Sequence, residues 1–482
     1  MKRKLLTNIF YQGGYQILII ILPIITTPVI TSRLSPDSTG TFKYIGSIAQ
    51  YFILIAGLGL GDYGVREIAK VCTDRDRLSK KFWEIQLFNL YFSLGTFFIY
   101  CFGIFFTSEK LLFSIYGITV FSAVIDISWF FSGLEDFKKI TLRNLILKIS
   151  SFVAIVIFVK NDNDLWIYFL INALSIFLGQ VILWVNINRY IDFVKISRKD
   201  IWQHFKPALQ LFLAKISLVL YNTTSSFLLG ILSSMSNVGL YTYSSNLISI
   251  ASSVLSATNL VMIPRMTSIY MSNTNDDEEM LAIFKKMIMI QLYFTIAITF
   301  GIFATNVKLI GWFIDEKYKA IEPFVYLFAP SISFQIMQMS VATMWLIPKN
   351  EMKEYNTSVL VGGIICIVIN FITIPFIGVY GSILAITVAY IFVCIKRFRF
   401  MYQNTAFRFD WQQIGLNILC GLIMYILVVY LTKHMPSAIS TTGIQVLIGG
   451  SVYLGLTTLL KANPAIFLLN PKMNFLKKKE RR

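Results

Sequence analysis

Long apolar runs separated by short polar ones fill this chain. A helix needs about 20 mostly apolar residues to cross a bilayer. Windows of that kind fall at about 8–31, 40–60, 82–106, 111–131, 143–159 and 165–187. After a polar gap they resume at about 207–232, 238–262, 284–305, 321–347, 355–376, 378–395, 412–432 and 442–460. The pattern predicts 14 transmembrane helices. The runs are continuous rather than alternating, which excludes the strands of a β-barrel. Met1-Lys-Arg-Lys is a signal-like start, but the apolar run behind it reaches Thr31, contains Pro23 and Pro28 and lacks a small-residue cleavage site. It reads as a retained first helix.

Composition agrees: 56% of the 482 residues are hydrophobic and 14% charged, against about 25% charged in soluble proteins. The net charge of +18 would suggest nucleic acid on a soluble surface, but the placement of the charges gives another account. With the N-terminus inside, 33 of the 43 Lys and Arg fall in inner segments, eight in outer ones, and Lys148 and Lys215 within spans. That asymmetry is the positive-inside pattern. It places both termini in the cytoplasm and makes nucleic acid an unneeded partner. No loop exceeds about 20 residues, so no soluble domain is expected. The acidic stretch 273–279 reads as a solvated loop, and the basic tail Lys477–Arg482 as an anchor to anionic membrane lipid.

Five cysteines without metal-ligand spacing read mostly as small hydrophobes. The two histidines, His204 and His434, lie beside loops and read as incidental polar residues. No metal or cofactor is expected.

An internal repeat organises the chain. Gly40 and Arg66 are 26 residues apart, as are Gly239 and Arg265, so an offset of 199 superposes both pairs. Leu34-Ser35 precedes the first pair and Leu232-Ser233 the second. Two six-helix lobes follow, 1–195 and 200–400, with a C-terminal helix pair at 411–461 and a tail at 462–482. Both lobes start inside, so the repeat is parallel. The expectation is an all-α integral membrane protein whose pseudo-symmetric lobes flank a central cleft, as a transporter requires.

Four segments carry a family resemblance: Gly57-Leu-Gly-Leu-Gly-Asp-Tyr63-Gly64-Val-Arg66-Glu-Ile-Ala, Trp129-Phe-Phe-Ser-Gly133-Leu-Glu135-Asp-Phe-Lys-Lys-Ile140, Gly230 through Gly239-Leu-Tyr241 to Pro264-Arg265, and Asn370-Phe-Ile-Thr-Ile-Pro375-Phe-Ile-Gly378-Val-Tyr-Gly381-Ser. In order and spacing the chain resembles the bacterial polysaccharide repeat-unit flippases, of O-antigen and capsule type, in the MOP superfamily. Many relatives carry an acid in helix 7 where this chain has Ser225. The resemblance implies a monomeric flippase, not an enzyme, in the bacterial cytoplasmic membrane. It would turn an undecaprenyl-pyrophosphate-linked oligosaccharide from the inner to the outer leaflet. Glycosyltransferases and a polymerase of the same pathway would be its partners.

Such cargo needs cations in a wet cleft, because a charge at mid-membrane costs several kcal/mol. Lys215, about eight residues into helix 7, is the leading candidate, with Lys43 near the outer end of helix 2. Arg66 and Arg265, repeat-equivalent at the cytoplasmic mouth, suit bidentate contact with pyrophosphate. Asn8, Gln12 and Gln16 recur every four residues as a polar stripe on helix 1, and Asn222–Ser226 offers similar groups on helix 7. Asp126 is the one carboxylate well inside a window and is the candidate for coupling to a proton or Na⁺ gradient. The alternative is a drug antiporter of the related multidrug branch driven by Na⁺ or H⁺. Its cationic substrates would favour acids over lysines in the cleft.

Overall fold

The computed structural model describes residues 14, 21–185, 187–272 and 276–464, with only 216 and 219 described to their side chains within 213–222. No strand occurs among them. After α1 (21–33) come α2 (Pro36–Gly57), α3 (Leu60–Val71), α4 (Arg75–Ile104), α5 (Lys110–Ser122), α6 (Ser128–Gly133), α7 (Phe137–Phe158) and α8 (Leu165–Trp184). A short α9 (Arg198–Trp202) leads into α10 (Phe205–Leu232) and α11 (Met235–Tyr270). Then follow α12 (Asp276–Phe313), α13 (Glu322–Phe328), α14 (Ser331–Val341), α15 (Met352–Ile377), α16 (Val379–Asn404), α17 (Trp411–Leu431) and α18 (Ile439–Leu459).

Ten helical segments among the described residues are long and apolar enough to cross a membrane, and the bent pair around α13 and α14 makes eleven. The chain is a multi-pass membrane protein. Shorter apolar helices at Lys110–Ile125 and Thr223–Leu232 fall in the fourth and seventh windows, and α1 in the first, so 14 spans are compatible with this architecture. Phe98 and Phe102 on α4, with Phe105 and Phe106 just beyond its end, are 64–77% exposed, which suits a lipid-facing surface.

The chain divides into two compact units, Met1–Gly239 and Leu240–Arg482. In the first, Ser35 caps α2 by accepting from the Ser38 amide with Pro36 in the first turn, and Asp74 caps α4 by accepting from the Asp76 and Arg77 amides. One apolar core gathers Leu60, Phe82, Phe88, Trp129, Phe130 and Ile201. A second gathers Ile45, Tyr100, Phe113 and Phe169.

The segment before α9 is strapped to α4. Arg75 makes two charged hydrogen bonds to Asp192, at 2.7 and 2.9 Å, and the Trp83 indole donates to the Asp192 carbonyl. The Arg75 hydrogen bond holds the Asp192 carboxyl below its ordinary range.

The 199-residue repeat reappears as a reciprocal backbone contact. A Cβ on Gly40 would collide with the Met235 carbonyl, and one on Gly239 with the Pro36 carbonyl. Pro36 and Met235 are themselves related by the same offset. The small residues let the first turns of α2 and α11 touch backbone to backbone.

In the second unit, α12 is the central helix, flanked by α17 and α18. Tyr293, Cys420, Met424 and Tyr453 form the core between them. Arg397, near the C-terminal end of α16, is 2% exposed. Its guanidinium donates to Ser358 Oγ at 2.9 Å and to the Gln338 carbonyl at 2.7 Å. A helix-end position tells the side of the membrane but not the burial, which here comes from α14 and α15.

Candidate functional site

Two spans of the first unit are broken. The first break parts α2 from α3 at Leu58 and Gly59, with φ of 34° and 73°. Gly59 is required on two counts: left-handed backbone favours glycine, and a Cβ there would lie 2.6 Å from the Ala208 carbonyl and the Phe212 amide of α10. The second break parts α5 from α6. A 3₁₀ turn at Ala123–Ile125 ends in Asp126, which is extended at φ −71° and ψ 115°.

Breaking a helix inside a bilayer strands carbonyls that no water reaches. Here four consecutive ones are each taken by a side chain. Asn89 Nδ2 donates to the Ala123 carbonyl at 2.9 Å and Gln86 Nε2 to Val124 at 3.0 Å. The Trp184 indole donates to Ile125 at 2.8 Å and the Trp129 indole to Asp126 at 3.1 Å. The Ser93 hydroxyl lies 3.1 Å from the Ala56 carbonyl beside the other break and 3.0 Å from Asn89 Oδ1, and its one proton serves either acceptor. Gln86, Asn89 and Ser93 share one face of α4 at i, i+3 and i+7 and are buried. The same periodicity that marked helix 1 could have found this stripe.

The break aims Asp126 into a cavity of about 250 Å³. Oδ1 accepts from the Ser128 amide at 2.8 Å, which fixes the carboxylate. Among the described residues, the cavity is lined by Gly46, Ala49, Gln50 and Ile53 of α2, Tyr116, Thr119 and Ser122 of α5, and Ile176 and Gln180 of α8, with Ala123 and Asp126 at the break. Arg143 of α7 reaches the Gly179 carbonyl at 2.8 Å and Gln180 Oε1 at 3.4 Å. The expected carboxylate is thus present, but at a helix break rather than inside a continuous span. No cluster of three His, Cys, Asp or Glu that suits a metal occurs among the described residues.

Lys43 is exposed on α2, one turn from Gly46 and two from Gln50, so it shares their face. Arg66 is exposed on α3, 3.4 Å from Glu67 and over the Tyr63 ring. Arg265 is exposed on α11. Lys215 and Asn222 lie within the helical backbone of α10, with side chains outside the described residues. Gln12 and Gln16 lie outside them altogether. Most of the rest of the polar run on α10 is a correction, although Thr223 is half-buried. Thr224, Ser225 and Ser226 are at most 3% exposed, and Thr224 pairs with the Tyr51 hydroxyl at 3.1 Å, so they serve helix packing rather than a sugar-facing wall.

His204 is a second correction: it is 1% exposed, not an incidental loop residue. Its Nδ1 lies 2.7 Å from the Tyr63 hydroxyl and its Nε2 3.2 Å from Glu84, which also holds Lys81 at 2.5 Å. This chain of contacts ties the first turn of α10 to α3 and α4.

Known proteins support the same architecture. The family described as "Polysaccharide biosynthesis protein" matches residues 5–270. A putative O-antigen transporter of Escherichia coli (strain K12) is 22% identical over 284 residues, covering 56% of this chain and 67% of its own length. One of Shigella dysenteriae is 20% identical over 395 residues, covering 80% and 96%. Among solved structures, the lipid II flippase MurJ in an inward closed conformation aligns with a TM-score of 0.73 at 16% identity, covering 94% of this chain and 98% of that one. An inward-facing multidrug MATE transporter of the MOP superfamily aligns at 0.51 and 15% identity, covering 89% and 96%. These likenesses establish the fold.

Proposed function

The chain belongs to the polysaccharide biosynthesis protein family, and from that premise we propose that it is a flippase for a lipid-linked oligosaccharide. The cargo is an undecaprenyl-pyrophosphate-linked repeat unit, carried from the inner to the outer leaflet of the bacterial cytoplasmic membrane by alternating access. Both termini face the cytoplasm. The protein acts as a monomer and works alongside the glycosyltransferases and polymerase of its pathway. Its relatives are named as transporters rather than enzymes, in keeping with a role that makes and breaks no covalent bond.

The observation that carries this reading is a carboxylate at a capped helix break beside a cavity, within a bundle of helices apolar and long enough to span a bilayer. Such polarity inside a bilayer is expensive and marks a substrate or ion path. In the proposed cycle Arg66 and Arg265 meet the pyrophosphate at the cytoplasmic mouth, and Lys215 and Lys43 hold it within the cleft. Gln12, Gln16 and Asn222 supply hydrogen bonds to the glycan. Coupling to a proton or Na⁺ gradient runs through Asp126.

Lys215→Ala tests the cationic path. Export of polysaccharide should fall below a tenth of the parent while the protein stays in the membrane at normal abundance. Normal export by that variant removes Lys215 from the path. Asp126→Asn tests coupling: its residual export should no longer respond when the ion gradients are dissipated, whereas the parent's should.

A further inference from the structure

We propose that the cavity between α2, α5 and α8 is a saccharide subsite that takes one sugar ring of the cargo, with Asp126, Gln50 and Gln180 as its hydroxyl-binding groups. The inference rests on the flippase reading and names where part of the cargo binds.

Size argues first. One water needs roughly 10–15 Å³ of such space, and a bare cation needs little more, so a cavity of about 250 Å³ is built for something larger. It lies just below the usual range for small-molecule pockets, roughly 300–1,000 Å³, which suits a single ring rather than a chain of them.

Chemistry argues next. A sugar hydroxyl both donates and accepts, so a site for several of them needs both kinds of partner. Asp126 supplies acceptors only, and the two glutamines supply an acceptor oxygen and a donor NH₂ each. These planar groups come from α2, α8 and the break after α5 and can address neighbouring hydroxyls on one ring. The small residues Gly46 and Ala49 leave room, and Ile53 and Ile176 give an apolar wall for the C–H face of a pyranose.

The third argument is a half-used carboxylate. Among the described residues Asp126 accepts through Oδ1 alone, from the Ser128 amide, which leaves Oδ2 for a ligand hydroxyl.

The test is photo-crosslinking of the full chain in its native host. A diazirine-bearing leucine analogue replaces either Ile53, in the cavity wall, or Ala69, exposed one turn from Arg66. Membranes are irradiated and the purified protein is analysed by mass spectrometry for a glycan-bearing adduct. The proposal predicts adducts at both positions. It also predicts that Asp126→Asn together with Gln180→Ala lowers the Ile53 adduct at least tenfold while changing the Ala69 adduct less than threefold. An adduct at Ala69 without one at Ile53 overturns the subsite and leaves the flippase reading intact. Adducts at neither position overturn the flippase reading and the subsite with it. Equal loss at both positions shows that the pair of substitutions removes cargo generally and overturns the assignment of the cavity.

Discussion

The break at Asp126 and the bend at Pro330 interrupt spans of the two units in different ways. In the first unit the 3₁₀ turn ends in an extended residue, four carbonyls are capped by side chains, and a carboxylate faces a cavity. In the second, α13 and α14 meet at 52° around Pro330. Thr299 of α12 approaches the Ala329 carbonyl at 3.4 Å, and Asn306 holds that of Glu322 at 2.9 Å. The second break is packed shut, with Phe328, Ala329 and Ile332 at most 4% exposed. Both units satisfy the same rule, that a carbonyl freed inside a membrane needs a donor. One spends several polar side chains on an open polar site and the other closes over a proline kink. The comparison separates what the fold requires, a capped break, from what is specific to the first unit, the carboxylate and its cavity.

Asn89→Leu attacks the first break where the caps converge. Asn89 holds Ala123, reaches Val124 at 3.4 Å, and accepts from Ser93. The substitution leaves the buried Ala123 carbonyl with only the long 3.4 Å approach of the Asp126 amide, at a cost of about 1–3 kcal/mol, and removes a partner of Ser93. Thermal unfolding of the purified protein in detergent should show a loss near the top of that range. Unchanged stability would mean that the caps on α4 do not hold the break. The cavity should also lose its shape, so the Ile53 adduct should fall with the melting temperature.

Thr299→Val makes the matching change at the second break and should cost less, below about 1 kcal/mol. The Thr299 hydroxyl already donates to its own helix at the Thr295 carbonyl, 2.8 Å away, and its approach to Ala329 is long. A loss as large as that of Asn89→Leu would erase the distinction between an open, capped break and a closed, packed one.

The sequence made the spans readable because a run of some 20 apolar residues has few other uses. The offset of 199 was readable too, and it returns as the reciprocal contact of Gly40 with Met235 and Gly239 with Pro36. Asp126 stood out as an acid among apolar residues, but its role did not, because one extended residue within an apolar window leaves no periodic trace. What made the break possible was written on another helix, in Gln86, Asn89 and Ser93, and on Trp184, nearly sixty residues away. His204 was misjudged for a physical reason. It owes its burial to partners distant in sequence, Glu84 and Tyr63, as Arg397 owes its own to Ser358 and Gln338. Local pattern reports side and period, whereas burial of a polar group depends on what tertiary packing brings to it.

The smallest expected effect is the most discriminating. Ser331 begins α14 immediately after Pro330, and it is fully buried with a hydroxyl that has no partner among the described residues. It shares that orphaned state with Thr119 in the first unit, a residue of the cavity wall whose hydroxyl is enclosed as well. An orphan hydroxyl in a packed place is only a desolvation cost. Ser331→Ala should therefore be neutral or stabilising, within about 0.5 kcal/mol of the parent or above it, with export unchanged. Thr119→Val should match it in stability and in export, since it too removes an enclosed, unpaired hydroxyl at nearly constant volume. A fall in export or in the Ile53 adduct for Thr119→Val alone would show that the cavity opens onto this hydroxyl during transport, and that the two breaks differ in more than packing.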